Sequence, residues 1–357
     1  MSAEAPFTRS GPAPRWWKRR APRVGLVLGA GGITGFAYHS GALSALQQTT
    51  GWDPRTATVV VGTSAGAGVG AMLRGGVPVD QVMAHLIAAP ANPETMARLR
   101  VLSGRDTDVP RWWWFGPGSP RLLARELSRP WTARPGRVAA SLLPNGRIPT
   151  DFLGDRVRRL HGLDWPEEPL LICALRLGDG ERVVFGSGPV RADVGTAVEA
   201  SSAIPGFFRP VTVGGVRYVD GAVHSATNAD LLADLDLDLI VVSSPMSGRR
   251  RAPSSSLDAV SRLPRWRSLR RELAAFGPVT GQLLLEPGAE ELRTMGPINM
   301  DPTRLVPTVL QSRTSTLRRL AAIGEDPVLG LLRRAAATAP KPPDVAYPTG
   351  TKRRRAS

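Results

Sequence analysis

The chain has 357 residues, 42% of them hydrophobic, a formal net charge of +16 and a single cysteine. Length and apolar content suffice for one large folded domain, while one cysteine rules out a disulfide within the chain and metal-ligand spacing is absent. Positive charge carried almost wholly by arginine favours anionic partners.

Residues 1–22 are Pro- and Arg-rich with no apolar core of a signal peptide, and read as a disordered basic tail. No run approaches the length of a membrane-spanning helix, so a cytoplasmic protein is expected. Val24 to Leu28 reads as a buried strand, and Gly29-Ala30-Gly31-Gly32-Ile33-Thr34-Gly35 as a turn opening a helix through about Leu46. A dinucleotide fingerprint does not fit this turn. Counted from Gly29, the sixth position is Thr34, and the one acid about twenty residues on, Asp53, sits in a Trp-Asp-Pro loop.

A second apolar run, Ala57 to Val61, feeds Gly62-Thr63-Ser64-Ala65-Gly66 and then a small-residue helix. A serine on such a strand-to-helix turn is held with its Oγ exposed, and its neighbours must be small because strand and helix pass closely. Ser64 is therefore a candidate nucleophile. Two strand–glycine–helix units in succession imply α/β architecture. Residues 76–150 read as an irregular, partly helical insertion containing Trp112-Trp113-Trp114-Phe115, either a lipid-facing lid or the packing of a cap.

Leu170 to Leu177 and Val183 to Phe185 are apolar runs joined by an Asp179-Gly180 turn, and Val211 to Val213 and Val216 to Val219 are joined by Gly214-Gly215. Asp220 follows the second strand of that hairpin, where a catalytic acid or base is expected. Only four histidines are present, His39, His85, His161 and His224, so a histidine triad is thinly supplied. Cys173, in an apolar run, reads as a buried packing residue. Arg270 to Arg293 and Leu317 to Arg334 have helical character. Residues 338–357 read as a second disordered basic tail.

The glycine turn, the Ser64 pentapeptide, Ala200-Ser201-Ser202-Ala203-Ile204-Pro205-Gly206-Phe207-Phe208 with Pro210, and Asp220-Gly221-Ala222 together resemble the bacterial patatin-like phospholipases over roughly residues 24–245. The resemblance implies a three-layer α/β/α fold with a mostly parallel central sheet and a helical insertion. The catalytic domain would span 23–245, with a C-terminal helical part over 246–337. It also implies a lipid acyl-ester hydrolase of phospholipase A or lysophospholipase type with no cofactor and no metal. Ser64 would be the nucleophile, Asp220 the base, and the amides of Gly31, Gly32 and Ile33 the oxyanion hole. Thr34 departs from the family, which usually carries Arg or Lys there, and Ala222 is a mild variant of Asp-Gly-Gly.

Two other readings stay open: an esterase in which His224 completes a Ser-Asp-His triad, and a non-catalytic lipid-binding protein. The expected partner is a lipid or phospholipid ester. Arginine clusters at 15–20, 249–251, 262–271 and 353–355 suit peripheral association with an anionic membrane, whereas no nucleic-acid recognition motif accompanies them.

Overall fold

The computed structural model describes residues 20–88, 118–128, 135–248 and 256–348. The tryptophans at 112–114, the arginines at 249–251, and residues 1–19 and 349–357 of the two basic tails lie outside the described residues.

The strands are β1 (Val24–Leu28), β2 (Val59–Thr63), β3 (Leu170–Arg176), β4 (Arg182–Phe185), β5 (Val211–Val213), β6 (Val216–Asp220), β7 (Leu239–Ser243) and β8 (Gly281–Leu285). They form one sheet in the order β5-β6-β3-β2-β1-β7-β8, with β4 paired to β3. Strands β3, β2, β1, β7 and β8 are mutually parallel. Burial on both faces explains their continuous Val/Leu/Ile runs.

Alternate residues divide between two cores. Leu26, Leu28, Leu239, Val241, Leu283 and Leu285 face one layer, which includes α1 (Gly32–Thr50), α2 (Ala65–Arg74) and α7 (Val194–Ser201). Val27, Ile240, Val242 and Leu284 face the other, which includes α8 (Ser256–Leu273) through Leu269 and Leu273. The period of two that puts successive strand side chains on opposite faces thus produces three layers.

Between α2 and β3 run α3 (Val79–Ala88), α4 (Pro120–Ser128), α5 (Pro135–Leu142) and α6 (Asp151–His161). After β8 come α9 (Ala289–Met295), α10 (Leu305–Ile323) and α11 (Pro327–Thr338). α1 runs to Thr50, beyond the expected Leu46, and is closed by Gly51 in the left-handed conformation, its amide on the Gln47 carbonyl. Asp53 caps the turn that follows and pairs with Arg55 at 2.7 Å, a structural role that accounts for it.

Two expectations are corrected. The helical stretch expected over 270–293 contains β8, so the sheet continues past residue 245. Gly281-Gln282-Leu283-Leu284-Leu285 has good helix formers, and parallel pairing with β7 overrides that preference. The stretch from 338 is also partly packed. The Asp344 carboxylate meets Arg55 at 2.8 Å, the Val345 amide donates to the Gly76 carbonyl, and Tyr347 stacks on His85 at 3.8 Å between ring centres.

Candidate active site

The site is built where two strands running in opposite directions end beside a third. β2 runs parallel to β3 and stops with Thr63 opposite Cys173. β6 runs antiparallel to β3 and stops with Asp220 opposite Ala174. β4 pairs with residues 172–175 along the opposite edge of β3, so β2 and β6 share one edge and their C-terminal ends converge there. Ser64 and Asp220 are the residues at that junction.

Ser64 has φ 54° and ψ −117°, a strained backbone for a residue with a side chain. Such strain typically costs about 1–3 kcal/mol and persists only where the surroundings enforce it. Here the enforcement is visible. A Cβ at Gly66 would lie 2.0 Å from the Leu28 carbonyl oxygen, so α2 passes directly against β1 and only glycine fits. The Ser64 amide donates to Ser201 Oγ at 2.8 Å, and the Ser201 hydroxyl donates to the Cys173 carbonyl at 2.6 Å. Although Ser64 occupies the N-cap of α2, its hydroxyl makes no capping hydrogen bond. It stands instead near enough to the Asp220 carboxylate to act on that group's ionisation.

Asp220 is buried, and its amide donates to the Ala203 carbonyl at 3.0 Å. Burial pushes its carboxyl up to about 6, against the opposing effects of the Ala222 amide, the Ser64 hydroxyl and the positive charge of Arg265 on α8. A carboxylate ordinarily too weak to deprotonate serine is thereby made more basic.

The glycine turn lies at the end of β1. The amides of Gly29, Ala30, Thr34 and Gly35 donate to the carbonyls of Ser243, Ala226, Asn299 and Gly31 respectively. Those of Gly31, Gly32 and Ile33, at the start of α1, have no backbone acceptor among the described residues. Orphan donors at a helix N-terminus, reinforced by the helix dipole, suit a developing negative charge. Gly32 has φ +59°, and a Cβ there would meet Met300 Sδ at 2.7 Å and the Asn299 carbonyl oxygen at 2.8 Å. Thr34 is fully buried, its hydroxyl directed at the same Asn299 carbonyl at 3.5 Å.

The sequence assigns no role to several supporting residues. Ser201, within the Ala200–Phe208 motif, bridges β3 to Ser64 only through the fold. Asn228, with φ 54°, donates from Nδ2 to Thr63 Oγ1 at 3.0 Å and to the Ser225 carbonyl at 2.8 Å, bracing the end of β2. His39, fully buried on α1, places Nε2 2.7 Å from the Gly29 carbonyl and Nδ1 2.7 Å from Ser243 Oγ. With the proton on Nε2, the ring donates to Gly29 and accepts from Ser243, tying the first residue of the glycine turn to β7.

Burial lowers the His39 imidazole to about 4. Its neutral form is therefore favoured by folding, and the associated stability, present above the ordinary value of 6.5, is lost as pH falls through about 4. His39→Leu leaves a buried carbonyl and hydroxyl without their partner and should cost about 2–4 kcal/mol in urea unfolding. A cost below about 1 kcal/mol would show that the clamp contributes little.

The other histidines stand elsewhere or in other company. His85 stacks on Tyr347, His161 bonds the Ala71 carbonyl at 2.8 Å, and His224 Nδ1 lies 3.4 Å from Arg137 Nη2. Cys173 is buried, with its thiol pushed up to about 12 by burial. Among the basic clusters, Arg262 is turned inward, donating to the Pro245 carbonyl at 2.6 Å.

Solved structures similar to this chain include VipD from Legionella pneumophila (13% identity, TM-score 0.36), covering 90% of this chain and 71% of that one. Human GIVD cytosolic phospholipase A2 bound to methyl gamma-linolenyl fluorophosphonate matches at 15% identity and TM-score 0.36, covering 89% of this chain and 59% of that one. The type III effector ExoU, from Pseudomonas aeruginosa, matches at 18% identity and TM-score 0.31, covering 85% and 54%. The chain thus spans little more than half the length of the last two. Similarity at this level adds nothing to a family assignment, which stands on sequence. The model of the patatin-like phospholipase family matches residues 26–233, more than half of the chain, across the glycine turn, the Ser64 elbow and Asp220. The chain therefore belongs to the patatin-like phospholipase family.

Proposed function

We propose that the protein hydrolyses acyl esters of lipids, as a phospholipase A or lysophospholipase, through a Ser64–Asp220 dyad. The observation that carries this reading is that the Ser64 hydroxyl stands near enough to the buried Asp220 carboxylate to bear on its ionisation. The two groups are brought together from opposite strand directions, beside amides free to receive an oxyanion. With the carboxylate beside the hydroxyl no imidazole need stand between them, and His224 lies against Arg137, which favours the dyad over a triad through His224.

In this reading Asp220 accepts the Oγ proton as Ser64 attacks the acyl carbon. The carbonyl electrons move onto oxygen, where the amides of Gly31, Gly32 and Ile33 stabilise the charge. Collapse expels the alcohol, which takes the proton back from Asp220 and leaves an acyl-serine. Water, deprotonated by Asp220, then attacks the acyl-serine; collapse of the second oxyanion returns the proton to Ser64 and releases the fatty acid.

A fluorophosphonate carrying an alkyl chain tests the nucleophile: intact-mass and peptide analysis should show one adduct, on Ser64, absent from Ser64→Ala. Labelling elsewhere with Ser64 untouched would reject the assignment. Asp220 must be ionised to act as base, so kcat/KM for a soluble ester should rise with pH and level off above about 6. A profile already flat from pH 4.5 would indicate that this carboxylate does not govern the rate.

A further inference from the structure

The loop after α5 and the segment before β5 are joined to one another beside the dyad. Ile148 and Phe208 form a β-bridge, and the Arg209 amide donates to the Ile148 carbonyl at 2.9 Å. Gly146 is so close to Phe207 that a Cβ would lie 2.2 Å from its carbonyl carbon. Beneath the joined segments is a small apolar cluster of Ala203 and Phe208, against which Ile33, Ile148, Ile204 and Met300 pack while remaining partly exposed. The cluster borders the proposed machinery on two sides, since Ile33 is an oxyanion residue and the Ala203 carbonyl holds the Asp220 amide.

Two properties distinguish this rim. Large apolar side chains stand in solvent on it, with Leu142 at 51% exposure, Phe207 at 40% and Ile298, two residues before Met300, at 45%. Its charge is predominantly positive, with the exposed Asp151 just beyond it. Residues 141–150 and 200–219 include Arg147, Arg209 and Arg217 and contain no aspartate or glutamate. All three arginines are exposed. Exposed aromatic and aliphatic groups interspersed with arginine fit the boundary between headgroups and acyl chains, where apolar groups insert and cations meet anionic lipid. A nucleic acid would use the cations and leave Leu142 and Ile298 in water.

We infer that the rim formed by residues 142–147 and 204–209 is the face by which the protein docks on an anionic lipid bilayer, presenting the dyad to lipids in that surface. The inference rests on the lipid-hydrolase reading of the site, and its test reads binding without hydrolysis. The full chain is sedimented with vesicles of phosphatidylcholine containing roughly one-third phosphatidylglycerol. An arginine near such a surface contributes about fivefold in partitioning, so Arg147→Ala/Arg209→Ala should weaken binding about 25-fold. Phe207→Ser should weaken it by about fivefold or more through lost apolar burial. Arg333→Ala, on α11, removes an exposed arginine paired with Glu325 and serves as the control; it should change binding less than twofold. Unfolding midpoints verify that each variant is folded.

A loss below fivefold in the arginine pair, an equal loss in Arg333→Ala, or no binding of the parent to anionic vesicles overturns the inference. Hydrolysis of a soluble acetate ester by the parent reads the dyad separately. Its absence would reject the hydrolase reading while the vesicle result still decides whether this face binds lipid.

Discussion

Ser64→Ala is expected to reduce hydrolysis of a soluble ester to background, a loss of about 10⁴-fold or more, and Asp220→Asn to reduce kcat/KM by about 10²–10⁴-fold. The double variant should be no worse than Ser64→Ala, because a nucleophile and its base act as one unit. Stability separates this outcome from misfolding. Burial raises the Asp220 carboxyl above its unfolded value, so folding favours its protonated form. That contribution is fully present below about pH 4 and is lost as pH rises through about 6. At pH 8 the ionised carboxylate therefore weakens the fold, and Asp220→Asn, which can still accept from the Ala222 amide, should raise the melting temperature while abolishing turnover. Retention of more than about a tenth of the activity in Asp220→Asn would reject the dyad.

Gly32→Val is expected to lower kcat by about 10²–10³ with a much smaller effect on KM, the loss of an oxyanion donor being felt mainly in the transition state. The backbone at this position has φ +59°, which a β-branched residue resists, and the new Cβ would press on Met300 and on the Asn299 carbonyl. Both effects turn the Gly32 amide away from its present direction. Gly32→Ala, with the same φ problem and a smaller clash, should fall between the parent and the valine variant. Steady-state kinetics on a soluble ester decide the point, and an unchanged kcat in the valine variant would move the oxyanion site away from this turn.

Local chemistry makes much of the site legible in the chain itself. The apolar run into Gly62-Thr63-Ser64-Ala65-Gly66 demands a tight strand-to-helix crossing, and the crossing is tight enough that Gly66 touches the Leu28 carbonyl. Gly214-Gly215 sets the β5–β6 hairpin within a few residues, and thereby leaves Asp220 at a strand end. These features depend on neighbours in the chain, which is why residue order alone determined them.

Long-range geometry decided the rest. That the end of β6 meets the end of β2 depends on both pairing to one edge of β3 from opposite directions, a relation between residues more than a hundred positions apart. The basicity of Asp220 comes from burial, which no pentapeptide encodes. His39 reads as one polar residue in a small-residue helix until α1 carries it against Gly29 and β7. Gly281 to Leu285 has the composition of a helix, and only the vacant edge of β7 makes it a strand. Arg262 belongs to a basic run whose sequence suggests solvent, yet packing turns it onto the Pro245 carbonyl. Spacing along the chain identifies which groups can react, whereas sheet register and burial determine which of them meet and how strongly each holds its proton.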